Sequence, residues 1–110
     1  MENFKNPHEK YAFERNYKLL MSYMRNIKKE LKSHITRDDF NEKKLRWEVL
    51  IDNGIFFDLI VSNVKSGIEI KIICSSRKFK ATFITYDTNI GKKILPMLDS
   101  IKKIEAYPED

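Results

Sequence analysis

Glycine and proline are scarce in this chain, with three of each in 110 residues, which leaves little room for long irregular loops. One cysteine, Cys74, rules out an internal disulfide; its plain reading is a reduced thiol at a buried strand end. Two histidines, His8 and His34, lie far from Cys74 and do not supply metal-site spacing, so neither metal nor cofactor is expected. No glycine-rich phosphate loop is present. Apolar runs last only a few residues, so no segment spans a membrane. The polar, charged N-terminus does not read as a signal peptide, so none is expected, and the expected location is cytoplasmic.

What remains is 42% hydrophobic and 34% charged, a balance that folds into a core. The length bounds it to a single domain, with 1–5 and 106–110 as loose termini. The net charge is +5, and Glu105, Glu109 and Asp110 make the body more basic than the total. A basic body favours nucleic acid, a nucleoprotein or an acidic protein surface as partner. Plentiful Lys, Ile, Asn, Phe and Tyr with little Ala is the usage of AT-rich genomes, bacteriophages among them.

Asn6-Pro7-His8-Glu9 reads as a helix start, with Asn6 as cap and Pro7 at the first helical position. Phe13, Tyr17, Leu20, Met24, Ile27 and Leu31 follow in alternating steps of four and three, and Ala12, Leu19 and Tyr23 widen the stripe. The helix should end near Ser33. Fewer than three heptads favour a helix that covers a sheet over a coiled-coil dimer. Thr36-Arg37-Asp38-Asp39 reads as the start of a short second helix, ending near Lys43 with Phe40 as its apolar anchor.

From Leu45 the period becomes two. Leu45, Trp47, Val49 and Ile51 face one way, with Arg46, Glu48, Leu50 and Asp52 between them. Asp52-Asn53-Gly54 is expected as a three-residue turn, pairing Ile51 with Ile55, Val49 with Phe57, Trp47 with Leu59 and Leu45 with Val61. Ile68, Ile70, Ile72 and Cys74 form a third strand. A turn at Ser76-Arg77 pairs Cys74 with Phe79, Ile72 with Ala81 and Ile70 with Phe83 on a fourth. A helix from about Asp87 or Thr88 to Ile104 closes the chain, kinked or restarted at Pro96. The expected fold is α+β: a long N-terminal helix, a short second helix, a four-stranded antiparallel meander and a C-terminal helix, with the helices on one face.

Three surfaces merit a functional reading beside a bland one. Arg25, Lys28, Lys29 and Lys32 crowd the end of the first helix. Helix dipoles and ordinary solvation explain such cations, and so does phosphate contact. Arg77 and Lys78 at a hairpin tip, followed by Lys80, form either a polar turn or a phosphate grip. On the outer sheet face the expected register lines up Leu50, Phe56 and Ile73, with Ile60 and Ile84 flanking Glu69. That row suits a homodimer seam or a partner site. One aromatic residue there, Phe56, is too few for a base-stacking platform. Glu48 opposite Asp58, with Lys71 beyond, is a surface ion group; nothing resembles a catalytic set, and no small-molecule substrate is expected.

These features point to a small non-enzymatic regulatory or inhibitory binding protein. Its target would be nucleic acid or a nucleic-acid-handling complex. A phage-type inhibitor of a host defence enzyme fits that size and charge. The alternative is a homodimeric interaction or chaperone-like module using the outer sheet face.

Overall fold

The computed structural model describes residues 7–64, 67–74 and 79–106, with backbone alone for 104–106. Helix α1 spans Pro7–Leu31 and passes into a 3-10 turn at Lys32–His34. Strands β1 (Ile35–Asn41), β2 (Arg46–Asp52), β3 (Phe56–Val64), β4 (Gly67–Cys74) and β5 (Phe79–Thr85) follow, and helix α2 spans Gly91–Ala106. The strands form one antiparallel sheet in the order β1-β2-β3-β4-β5. The architecture is α+β. The expected cap Asn6, the tip residues Arg77 and Lys78, and the tail 107–110 lie outside the described residues.

The short second helix is replaced by β1, so the sheet has five strands rather than four. A break in pairing explains why the alternation is hidden. Ile35 faces Ile51 and Arg37 faces Leu50, leaving Thr36 as an extra residue. That bulge brings Ile35 and Phe40, an odd five positions apart, to the same face. Thr36 Oγ1 donates to the Leu50 carbonyl at 3.2 Å, which fixes the irregular position.

The β2–β3 register also differs from expectation, by two residues. Ile51 pairs with Phe57, Val49 with Leu59 and Trp47 with Val61. Asp52 stays in the strand opposite Phe56, and its carboxylate accepts the Gly54 amide at 2.9 Å. The turn is therefore Asn53-Gly54-Ile55, with Gly54 left-handed at φ 100°. A shift of two keeps every side chain on its expected face. Leu45 precedes the strand at φ 48°, and its carbonyl accepts the Asn63 amide at 3.0 Å. Between β4 and β5 the pairs Cys74–Phe79, Ile72–Ala81 and Ile70–Phe83 are as the alternation predicts.

The buried strand residues all belong to one face: Trp47, Val49 and Ile51, then Phe57, Leu59 and Val61, then Ile68, Ile70, Ile72 and Cys74. Leu20, Tyr23, Met24, Ile27 and Leu31 of α1 join Ile94 and Leu98 of α2, and Ile90 before it, in the same core. Each fully buried Leu or Ile contributes roughly 1.5–3 kcal/mol. Burial in α1 begins only at Leu20; Phe13 and Tyr17 are half-covered, and Tyr17 meets Phe40 at 6.1 Å between ring centres.

Residues 87–90 do not extend α2, which starts at Gly91 because Asp87 Oδ1 takes the Asn89 amide at 2.9 Å in a turn. The helix runs through Pro96 without a second start. Among the described residues, no helix is long and apolar enough to cross a membrane.

A cationic helical layer as the candidate functional site

The two helices carry the positive excess. In α1 six Lys and Arg stand against three Glu, and in α2 four Lys stand against Asp99 and Glu105. The outer sheet face is mixed instead. Arg37, Arg46, Lys71 and Lys80 alternate there with Asp39, Glu48, Asp58 and Glu69.

Arg25 and Lys29 of α1 and Lys32, the first residue of the 3-10 turn that continues it, recur at steps of four and three, so they share the side turned from the core. All three are exposed, and none has an ion-pair partner among the described residues. Lys28 differs. Its Nζ lies 3.8 Å from Asp38 Oδ1 and 5.6 Å from the centre of the Trp47 ring. Lys28 therefore ties α1 to β1 and β2 and is partly neutralised.

The end of this basic face is held in place by side chains. His34 Nδ1 lies 3.0 Å from the Asp52 carbonyl. Lys102 Nζ donates to the Asn53 carbonyl at 2.6 Å, and Asn53 Nδ2 donates to Asp99 Oδ1 at 2.7 Å. The last turns of both helices thus meet at the β2–β3 turn. The carbonyl ends of both helices favour cations there, and exposed Lys103 adds one. β4 ends at Cys74 and β5 begins at Phe79 at this same end of the sheet, because Asp52 pairs with Phe56 and Asp58 with Ile73. Lys80 is exposed near the start of β5.

The outer face lacks the continuous apolar row expected of it. Asp58 stands between Leu50 and Ile73, and Phe56, 55% exposed, faces Asp52. Ile60 lies between Glu48 and Lys71, and Ile84 beside Glu69. Glu48 accordingly faces Ile60 and not Asp58. Two register differences cause these changes. The shifted β2–β3 turn sets Asp58 opposite Leu50. The β3–β4 pairing, also two residues from expectation, sets Ile73 opposite Asp58 and Lys71 opposite Ile60, while Ile84 keeps its expected neighbour Glu69. A cleft of about 390 Å³ lies on this face among Arg37, Asp39, Glu48 and Asp58. Asp39 and Glu48 face each other directly, an unfavourable pair, and Arg46 relieves Glu48 at 2.9 Å.

Sequence reasoning missed the knot that sets α2 against α1. Asn26 Oδ1 accepts the Gly91 amide at 2.8 Å. Asp87 is held below its ordinary range, chiefly by the hydrogen bond from Lys93 Nζ at 2.9 Å and then by the Asn89 amide. Tyr23 donates to the Thr85 carbonyl at 3.0 Å, and burial, aided by the Asp87 charge, pushes its phenol up. No single residue signals the Tyr23–Thr85 and Asn26–Gly91 contacts, since they join positions more than 60 apart. A second cleft, about 580 Å³, lies between α1 and the β3–β4 end, lined by Arg15, Leu19, Val64 and Tyr86.

Among the described residues, no group of three or more His, Cys, Asp or Glu could hold a metal ion. No protein family, curated protein or solved structure is detectably similar to this chain.

Proposed function

We propose that this chain is a binding protein of regulatory or inhibitory type. Its helical layer engages a polyanion, namely nucleic acid or a nucleic-acid-handling complex. The observation that carries this reading is the set Arg25, Lys29 and Lys32: three exposed cations along one side of α1 and its 3-10 extension, with no ion-pair partner among the described residues. Phosphate contact needs several cations along one stretch of surface, and counterion release then supplies affinity. The mixed charge of the outer sheet face makes that surface the weaker candidate, and also weakens a homodimer seam built on Leu50, Phe56, Ile60, Ile73 and Ile84.

Labelled DNA and RNA oligonucleotides titrated at several salt concentrations test the reading. The logarithm of affinity should fall linearly with the logarithm of salt. Replacing Arg25, Lys29 and Lys32 together by Ala should lower that slope by roughly two to three. No binding to either nucleic acid at low salt removes the direct version. Capture from native extract with and without nuclease then decides whether an acidic protein complex is the target.

A further inference from the structure

The two edges of the sheet are built differently. β1 has the run Arg37-Asp38-Asp39 and a bulge at Thr36, both of which resist addition of another strand. β5 has neither. Its seven residues, Phe79–Thr85, hold one charge, Lys80, with no proline and no glycine. They pair with β4 without a break. Ile84 is 46% exposed, and Phe79, Ala81 and Phe83 are only half-covered. As the last strand in the order, β5 turns alternate amides and carbonyls outward.

We propose that β5 pairs antiparallel with β5 of a second copy about a two-fold axis, joining the two sheets into one. This does not depend on what the helical layer binds. Full overlap of the strand with itself allows one register. Phe79 then faces Thr85 of the second copy, Lys80 faces Ile84, Ala81 faces Phe83 and Thr82 faces Thr82.

That register is self-complementary. Small Ala81 meets large Phe83 twice on the core side, and the only charge avoids its own mate. A slip of one residue sets core-side positions against outer ones, which burial opposes. Pairing β5 with β1 instead generates an open filament, and the charges and bulge of β1 oppose that. The two-fold form closes after two copies. It also sets both helical layers on one side, doubling the cationic surface.

Sedimentation equilibrium on the whole chain tests the proposal. The native protein should reach twice the 13.1 kDa chain mass. Ile84→Lys sets a lysine against Lys80 of the other copy, twice by symmetry. Its neighbour on β4 within the chain is Glu69, so the fold accommodates the new cation. The dimer dissociation constant should rise about tenfold or more. Combining Lys80→Glu with Ile84→Lys restores opposite charges across the seam and should recover the dimer. A native monomer at every concentration overturns the proposal, and so does a dimer that Ile84→Lys leaves intact. A dimer lost with Phe56→Asp but not with Ile84→Lys locates the seam on the outer face and likewise overturns it. Circular dichroism of each variant checks that the fold is kept.

Discussion

Asn26 on α1 caps the start of α2 by accepting the Gly91 amide through Oδ1 at 2.8 Å. The closeness is strict. A Cβ at Gly91 would lie 2.9 Å from the Asn26 backbone oxygen, 2.9 Å from Oδ1 and 3.0 Å from the Glu30 Cβ. The backbone oxygen belongs to a helix held by the core and cannot step aside. Gly91→Ala should therefore destabilise the protein by roughly 1–3 kcal/mol, although alanine is the better helix former. Asn26→Ala should cost about 1 kcal/mol, the usual loss of a cap. Urea unfolding followed by Trp47 fluorescence measures both, since that single tryptophan is fully buried. Equal stability of Gly91→Ala and the native chain contradicts the close approach.

Gly54 raises a different question, because its constraint is torsional. Its φ of 100° is strained for a side chain, and a Cβ there would collide with Lys102 Nζ. That ammonium ends a flexible chain and can swing away at the cost of its bond to the Asn53 carbonyl. Gly54→Ala should lose about 1–2 kcal/mol from backbone strain. Gly54→Asn should lose less, because asparagine tolerates the left-handed region better. Comparable losses for the two point to side-chain collision as the dominant cost.

Much of the fold is legible in the sequence, and the parts that are not have identifiable reasons. The β4–β5 pairs follow from uninterrupted alternation on both sides of a polar tip, so a single register satisfies the core. In β2–β3, Asp52-Asn53-Gly54 reads as a turn, but the Asp52 carboxylate bonds the Gly54 amide while its backbone stays in the ladder. The turn thus begins one residue later, and the partners shift by two. β1 is hidden because its bulge breaks the period and its polar run imitates a helix cap. Among the site residues, Arg25, Lys29 and Lys32 were legible as exposed cations. The special place of Lys28 was not, because it depends on Asp38 and Trp47 in strands that the sequence does not place near it.

Stability should fall in acid partly through Asp87. Its folded-state pKa is lowered, chiefly by Lys93, so the group favours folding above the ordinary carboxylate value of about 3.9. That contribution disappears as pH falls through the lower folded value. Asp87→Asn should flatten this part of the profile while leaving the Asn89 amide an acceptor. Tyr23 acts at the other extreme. Its raised pKa means that its contribution is whole below about 10 and is lost as pH rises through the folded value. Tyr23→Phe removes this alkaline limb together with the bond to Thr85. Unfolding midpoints across the pH range distinguish the two limbs, and an Asp87→Asn profile parallel to the native one contradicts the first.

Lys28 and Lys29 are neighbours in sequence with opposite expected roles. Lys28 touches Asp38 and the face of Trp47, both within the fold, whereas Lys29 touches neither and points outward. Exposed ion pairs and cation–π contacts are each small, so Lys28→Ala should cost about 0.5–1 kcal/mol of stability. Lys29→Ala should leave stability unchanged and weaken polyanion binding, lowering its salt slope by roughly one. Lys28→Ala should change that slope less, because its charge already has Asp38 beside it. Unfolding curves and salt titrations on the two single variants give four numbers. If Lys29→Ala moves stability while Lys28→Ala moves only binding, the division between a tethering and a contacting lysine is reversed. The cationic face of α1 must then be drawn around Lys28 instead.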